Sequence, residues 1–325
     1  MSSVLVFAEL ASGKFKKPAL EAASYASDFA QSQNLPLYAA VIGHNVDENE
    51  LKRLSEYGVE KILYVNHPRL ATFVEAPYAG ALKAAADKAE ARYAVLPQSY
   101  TGRAVAPRFS ILWDAALISG VTELARIENG KIVVRRSAYS GKGIETTVSH
   151  AERTILTVKA NSYGLKPRAV SVAIESLDYT PQDKDFRLAP KRIEKASDKI
   201  SLTEAEVVVS AGRGLKGPEN WGMIEELAET LGAATACSKP VADVHWRPHH
   251  EHVGQTGIQI APNVYIAIGI SGAIQHLAGV NASKTIIVIN KDADAPFFKA
   301  ADYGVVGDAF EVVPELIKAV KAAKN

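Results

Sequence analysis

Val264-Tyr265-Ile266-Ala267-Ile268-Gly269-Ile270-Ser271-Gly272-Ala273-Ile274-Gln275-His276-Leu277-Ala278-Gly279 runs from an apolar segment through a loop of small residues into a helix-prone one. The opening run, Val264 to Ile268, has strand length and no polar alternation, the pattern of a strand buried on both faces of a parallel sheet. The small residues then fall at the strand's C-terminal end, the edge where open α/β sheets bind ligands. Ser271 reads as an N-cap, with Gly272 and Ala273 leaving helix N–H groups open to an anion. Gln275 and His276 fall in the first turn, within reach of the same crevice. A single histidine is more often a structural group, and this one gains weight only because three small-residue loops converge on one edge.

The second of those loops lies in Val207-Val208-Val209-Ser210-Ala211-Gly212-Arg213-Gly214-Leu215-Lys216-Gly217, a strand entering a Gly-rich turn and then a helix. Gly212, Gly214 and Gly217 satisfy G-x-G-x-x-G, where glycine lets the backbone approach a phosphate. A dinucleotide fingerprint also wants an acidic residue about twenty positions on, and Leu231 to Lys239 holds no Asp or Glu. That omission weakens an NAD reading, and a turn serving only tight packing is the plain alternative. The third loop, Val253-Gly254-Gln255-Thr256-Gly257, offers a hydroxyl between flexible residues; alone it reads as an ordinary turn. Asn290-Lys291-Asp292 ends the strand Thr285 to Ile289, and Asp302-Tyr303-Gly304 and Asp308 lie beyond it. Such residues suit adenosine or ribose contacts and equally suit polar loops. Pro218 to Leu231, Ala273 to Ala278 and Val313 to Ala323 are helical, so this half is expected to be a doubly wound parallel sheet.

The first half keeps the same rhythm. Val4 to Phe7, Leu37 to Ile42, Ile62 to Val65 and Tyr93 to Leu96 read as buried strands; Pro18 to Phe29, Glu48 to Tyr57, Ala79 to Ala91 and Arg103 to Leu112 read as helices. Glu128-Asn129-Gly130-Lys131 is a hairpin signal. Ile132 to Ala138, Glu145 to Ser149 and Thr154 to Lys159 alternate as antiparallel strands do, and are expected to extend the first sheet. The charged, Pro-containing stretch Gln182 to Lys199 reads as a linker. The expectation is an α/β protein of two domains, each a mainly parallel sheet with flanking helices: residues 1–190, and 200–325 as the ligand-binding domain.

Composition narrows the class. Thirty-seven basic residues against 36 acidic ones leave a formal charge of +1, which argues against a nucleic-acid binder. Charged or turn residues interrupt every apolar run, and Met1 to Glu9 reads as a first strand, not a signal peptide. One cysteine, Cys237, excludes an intrachain disulfide and suggests a reducing, cytoplasmic setting; it reads as buried and structural. His245-Trp246-Arg247-Pro248-His249-His250-Glu251-His252 invites a metal reading, but it lacks helix-spaced ligands and contains Pro248. It is read as a mobile or interface loop, with no metal site and no catalytic residue assigned anywhere.

Taken in order, Ser210 to Lys216, Val253 to Gly257, Gly269 to Gly279, Ile289 to Asp292 and Ala301 to Gly304 resemble the α subunit of the electron-transfer flavoproteins. The match is closest over Val207 to Phe310; the first half resembles the family through its opening strand and element order alone. The resemblance implies a heterodimer with a β subunit, which the first domain contacts and which carries AMP, and one FAD held mainly by the second domain of this chain. It assigns FAD contacts to Arg213, Ser238, Lys239, Val253, Gly254, Gln255, Thr256, Ser271, Gly272, Ala273, Ile274, Gln275, His276, Asn290, Asp308 and Ala309. Thr256 would lie near the flavin N5 side and His276 near O2; Arg213 and the Ser271 helix start would neutralise the pyrophosphate.

One position departs from the family, which usually has arginine, set against the flavin ring, where this chain has Lys239. A guanidinium stacks and spreads its charge, whereas an ammonium is a compact point charge. The resemblance further implies an electron carrier and not a catalyst: electrons arrive from dehydrogenases, such as those acting on acyl-CoA in fatty acid β-oxidation, and leave to a membrane quinone oxidoreductase. Two alternatives stand beside it: the α subunit of a flavin-bifurcating relative using NADH, and a nucleotide-dependent dehydrogenase built on the Gly212 turn. A non-redox interaction module is the poorest reading.

Overall fold

The computed structural model describes residues 2–139, 143–188, 190 and 200–324, and the chain forms two compact units that divide between residues 190 and 200. In the first, the chain runs through β1 (Ser3–Phe7), the short pair β2 (Leu10–Ala11) and β3 (Lys14–Phe15), α1 (Lys17–Ser32), β4 (Leu37–Gly43) and α2 (Glu48–Lys52). It continues through β5 (Lys61–Asn66), α3 (Glu75–Lys88), β6 (Ala91–Pro97), α4 (Tyr100–Trp113), β7 (Ala116–Val121), β8 (Arg126–Glu128), β9 (Lys131–Ala138), β10 (Gly143–Ser149), β11 (Thr154–Val158) and β12 (Ala173–Ser176). Seven of these strands form one parallel sheet in the order β12-β5-β4-β1-β6-β11-β7. Period-two geometry sends successive β1 residues to opposite faces. Val4 and Val6 enter the core beneath α1, while Leu5 and Phe7 enter the core beneath α3 and α4.

Four expectations change here. Thr154 to Lys159 is not an antiparallel extension: β11 is parallel to both β6 and β7. Its threonines mimicked a polar face, yet Thr154 and Thr157 are buried with their hydroxyls bonded to Ser149 Oγ and the Gly120 N–H. The strands β9 and β10 are antiparallel, but they make a separate three-stranded sheet with β8. The β8–β9 turn has Asn129 and Gly130 at φ +50° and +75°, as the hairpin signal requires. Finally, the helix expected over Ala79 to Ala91 begins at Glu75 and ends at Lys88. Glu90 turns left-handed at φ +49° and Ala91 opens β6; alanines on both sides of that break hid it. Glu48 to Tyr57 likewise gives only the short α2 followed by a 3₁₀ turn.

The expected linker starts too early. Asp183–Phe186 is a 3₁₀ turn tied to Arg69 by an ion pair to Asp183 and a guanidinium stacked on Phe186. Residues 189 and 191–199 of that stretch lie outside the described residues.

The second unit comprises β13 (Val207–Ala211), α5 (Gly222–Leu231), β14 (Ala234–Cys237), α6 (Lys239–Asp243), β15 (Val264–Ile268), α7 (Ile274–Val280), β16 (Thr285–Asn290), β17 (Tyr303–Val306) and α8 (Ala309–Lys324). All five strands are parallel, in the order β14-β13-β15-β16-β17. Val209, Ala211, Ile266 and Ile268 pack against α5 and α8; Val208, Tyr265 and Ala267 pack with Val280, Phe297 and Val253 on the opposite face. Each large apolar side chain so buried stabilises the unit by about 1.5–3 kcal/mol. The sequence reading passed over β14 and β17. One is a run of small residues, and the other is an exposed edge strand interrupted by Gly304.

Candidate functional site

Strand order reverses between β13 and β15: the chain leaves β13 for β14 on one side and returns to β15 on the other. The crevice outside the strand ends at such a reversal is where open α/β sheets take ligands. Here it holds a cavity of about 360 Å³. Its floor is backbone. Gly212 donates to the Ile268 carbonyl at 2.9 Å and Gly214 to the Gly269 carbonyl at 3.1 Å. A Cβ on Gly214 would come within 2.6 Å of Gly269 Cα. These glycines therefore let two strand-end turns cross in contact, which answers the packing reading of the motif. The long helix expected directly behind the turn is displaced, since two 3₁₀ turns intervene before α5 starts at Gly222. A dinucleotide fingerprint places a helix N-terminus at its glycines, so this geometry also counts against the NAD reading.

Around the floor stand Arg213, Ser238, Lys239, Val253, Gly254, Gln255, Thr256, Ser271, Ala273, Gln275 and His276. The sequence-expected residues Asn290, Asp308 and Ala309 line a smaller cavity of about 40 Å³ together with Gly214 and Gly269. Gly272 and Ile274 line neither cavity: Gly272 is buried under Phe297, and Ile274 points outward, 65% exposed. Ser271 is not the N-cap. Ala273 precedes α7 and makes no side-chain cap, because Gly272 at φ +83° lengthens the turn and the Ser271 carbonyl is used by Phe297 N–H.

His252 is a residue the sequence reading missed. Its ring is buried and lines the cavity beside Gly254, and its backbone bridges Cys237 at the end of β14. Burial, Lys239 and His249 lower its pKa against the opposing pull of Asp243. The signal available in sequence was its position directly before Val253. The preceding segment is tied down instead of loose: Arg247 makes two 2.7 Å hydrogen bonds to buried Glu251 and lies 3.1 Å from Glu225. No group of three or more His, Cys, Asp and Glu able to hold a metal ion occurs among the described residues. Cys237 is buried, and burial with Glu251 nearby pushes its thiol up to about 12, which makes it a poor nucleophile.

Comparison with known proteins decides the family. Residues 4–182 match the electron transfer flavoprotein domain, and residues 201–281 match the electron transfer flavoprotein FAD-binding domain. The electron transfer flavoprotein subunit alpha of Thermoanaerobacterium thermosaccharolyticum is 36% identical, covering 99% of this chain and 98% of that one. That of Bacillus subtilis is 34% identical over 98% and 97%. The chain belongs to the electron transfer flavoprotein α-subunit family. The LctC subunit of the lactate dehydrogenase (NAD(+),ferredoxin) of Acetobacterium woodii is also similar, at 30% identity over 99% of this chain and 78% of that one.

Within this flavoprotein fold, His276 is the most perturbed group of the cavity. It is buried at 7% exposure, and burial first, then His252, push its pKa down to about 4 from an ordinary 6.5. Its Nδ1 has no hydrogen-bond partner among the described residues. The neutral ring carries a pH signature. Below about pH 6.5 the unfolded chain gains a proton that the folded chain refuses until about pH 4. Stability is therefore full above that window and falls as pH drops through it, by on the order of 3 kcal/mol. His276→Gln is expected to flatten this part of the slope, as read from urea unfolding midpoints at pH 7 and pH 4.5; an unchanged slope would assign the acid sensitivity elsewhere.

Among the described residues no helix is long and apolar enough to cross a membrane.

Proposed function

We propose that this chain is the flavin-carrying subunit of a heterodimeric electron-transfer flavoprotein, holding one FAD in the cavity between the ends of β13 and β15. The observation that carries the reading is the largely apolar cavity at the sheet's reversal point, walled by the three small-residue loops and the buried imidazole of His276. The residues present fit the group. Val253, Ile270 and Ala273 offer an apolar surface for a planar ring, Thr256 and Gln255 offer polar contacts, and the cations Arg213 and Lys239 lie exposed at its edge for phosphate charge. A cavity in the few-hundred-Å³ range lined this way is typical of cofactor sites.

FAD when bound would supply the electron-accepting and electron-donating chemistry, and the protein supplies position, electrostatics and exclusion of water. Gly212 and Gly214 leave backbone room for the phosphates. Asn290 is held by its own bond to the Ile270 carbonyl at 3.0 Å and, with Asp308, would take the adenosine side. Electrons would come from dehydrogenases such as those acting on acyl-CoA and leave to a membrane quinone oxidoreductase, with AMP in the β subunit.

The relative named as a subunit of an NAD(+)- and ferredoxin-linked lactate dehydrogenase supports a second reading, a flavin-bifurcating complex. Co-purification with the β subunit, an absorption spectrum and a flavin-to-protein ratio separate the two. One flavin per heterodimer supports the carrier and two support bifurcation; a colourless complex would refute both.

Lys239 provides a narrower test. Its ammonium is 2.6 Å from Asp243 Oδ2 at the cavity mouth, so its charge is already shared, and it holds that carboxyl below the usual range. A guanidinium at this position would bring a planar, stackable charge instead. Lys239→Arg is expected to shift the reduction potential of the bound flavin; a redox titration identical to that of the wild type would remove Lys239 from the tuning of the site.

A further inference from the structure

Behind the cavity wall, the fully buried Tyr265 of β15 places its phenol oxygen 2.8 Å from Nε2 of His276. Tyr265 does not line the cavity; His276 does. Phe297 packs edge-on to the imidazole at 5.7 Å and Tyr265 lies tilted at 6.1 Å, so the ring is gripped on two sides. Nε2 is thus engaged inside the protein, and Nδ1 is buried without a partner among the described residues.

A neutral imidazole carries one N–H, and the hydrogen bond at one nitrogen decides which nitrogen holds it. Two arrangements fit the 2.8 Å contact. If Nε2–H donated to Tyr265, Nδ1 would be a bare acceptor. The phenol proton would then need a further acceptor, for which the neighbouring polar group is the Ser210 hydroxyl. The Val253 carbonyl also stands beside the imidazole, where it favours a proton on the ring, so a bare Nδ1 would set lone pair against lone pair. If Tyr265 donates instead, Nδ1–H meets the Val253 carbonyl and that conflict vanishes. Burial keeps the phenol protonated and the imidazole neutral, so donor and acceptor are both available.

We infer that Tyr265 is a positioning residue of this site: its O–H donates to His276 Nε2 and holds the imidazole in the Nδ1–H tautomer, which turns Nδ1–H toward the Val253 carbonyl and so ties the Val253–Thr256 loop of the cavity wall to α7. The inference rests on the cavity being the flavin site and adds a residue that never touches the cofactor.

The test uses the full heterodimer carrying ¹⁵N-labelled histidine, with the His276 ring signals assigned by their loss in His276→Gln. The wild type should show a pyrrole-like Nδ1 and a pyridine-like Nε2. Tyr265→Phe keeps the ring and removes only the hydroxyl. It should give averaged, mixed-tautomer ring signals, because the group that fixes the proton on Nδ1 is gone. A wild-type ring protonated on Nε2, or an unchanged Nδ1–H tautomer in Tyr265→Phe, overturns the inference. Should Tyr265→Phe fail to fold, the wild-type spectrum decides alone. The ring spectrum is readable with or without cofactor, so a wild-type heterodimer lacking flavin sinks the reading of the cavity while the tautomer is still determined.

Discussion

Gly272→Ala is expected to purify with little or no flavin and to lose about 3 kcal/mol of stability. Gly272 sits at φ +83° between Ser271 and Ala273, where a side chain is strained whatever the space around it. There is also no space. An added Cβ would lie 2.4 Å from Phe297 Cβ and 2.6 Å from both its Cα and its N. Phe297 cannot retreat, because it is fully buried and its N–H is bonded to the Ser271 carbonyl at 3.1 Å. The turn must therefore open, and it is this turn that sets the start of α7 and with it Gln275 and His276. A displacement of about 1 Å in a positioned site commonly costs about a hundredfold in function. Flavin absorbance per protein and a thermal melt read the two effects. Wild-type flavin content in Gly272→Ala would show that the Ser271–Ala273 turn does not set the site.

The second large effect lies in the first unit. Glu21→Ala is expected to destabilise the protein by about 4 kcal/mol, because buried donors lose a charged acceptor at once. Glu21, on α1, is 1% exposed. Its carboxylate accepts from the N–H groups of Asn161 at 2.8 Å and of Tyr163 and Gly164 at 2.7 Å each. These bonds pin the chain leaving β11 onto α1, and Tyr163 adds a bond to Asp28. A urea titration comparing midpoints at constant slope measures the loss. A change below about 1 kcal/mol would mean that water or a rearranged loop replaces the carboxylate.

Glu21 also marks the limit of sequence reading. A glutamate one turn into a helix reads as a solvated residue, and only the return of residues 161–164 over α1 makes it a buried anchor. Thr154 and Thr157 misled in the same direction: polar residues signal exposure until a neighbouring strand supplies their partners. His252 was invisible for a related reason, since its place beside the cavity depends on its bridge to Cys237, fifteen residues earlier in the chain.

The two parallel sheets sharpen the contrast. In the second, the strand ends at the reversal are bare backbone around Gly212, Gly214 and Gly269, and a cavity forms there. In the first, the order reverses between β1 and β6, and the protein fills that edge itself. Ser99 caps α4 by accepting the Gly102 N–H at 2.9 Å and donates its own proton to the Glu9 carboxylate.

Local pattern alone determined the α/β rhythm, the apolar strands, the Asn129-Gly130 hairpin and the three small-residue loops, because period and turn chemistry act over a few residues. Which strands pair, and on which face a polar side chain ends, depends on partners distant in sequence. The tertiary structure alone decided that β11 is parallel, that Gly272 and not Ser271 shapes the entrance to α7, and that Tyr265 meets His276. Those outcomes come from packing and hydrogen-bond satisfaction between separated segments, which no local window contains.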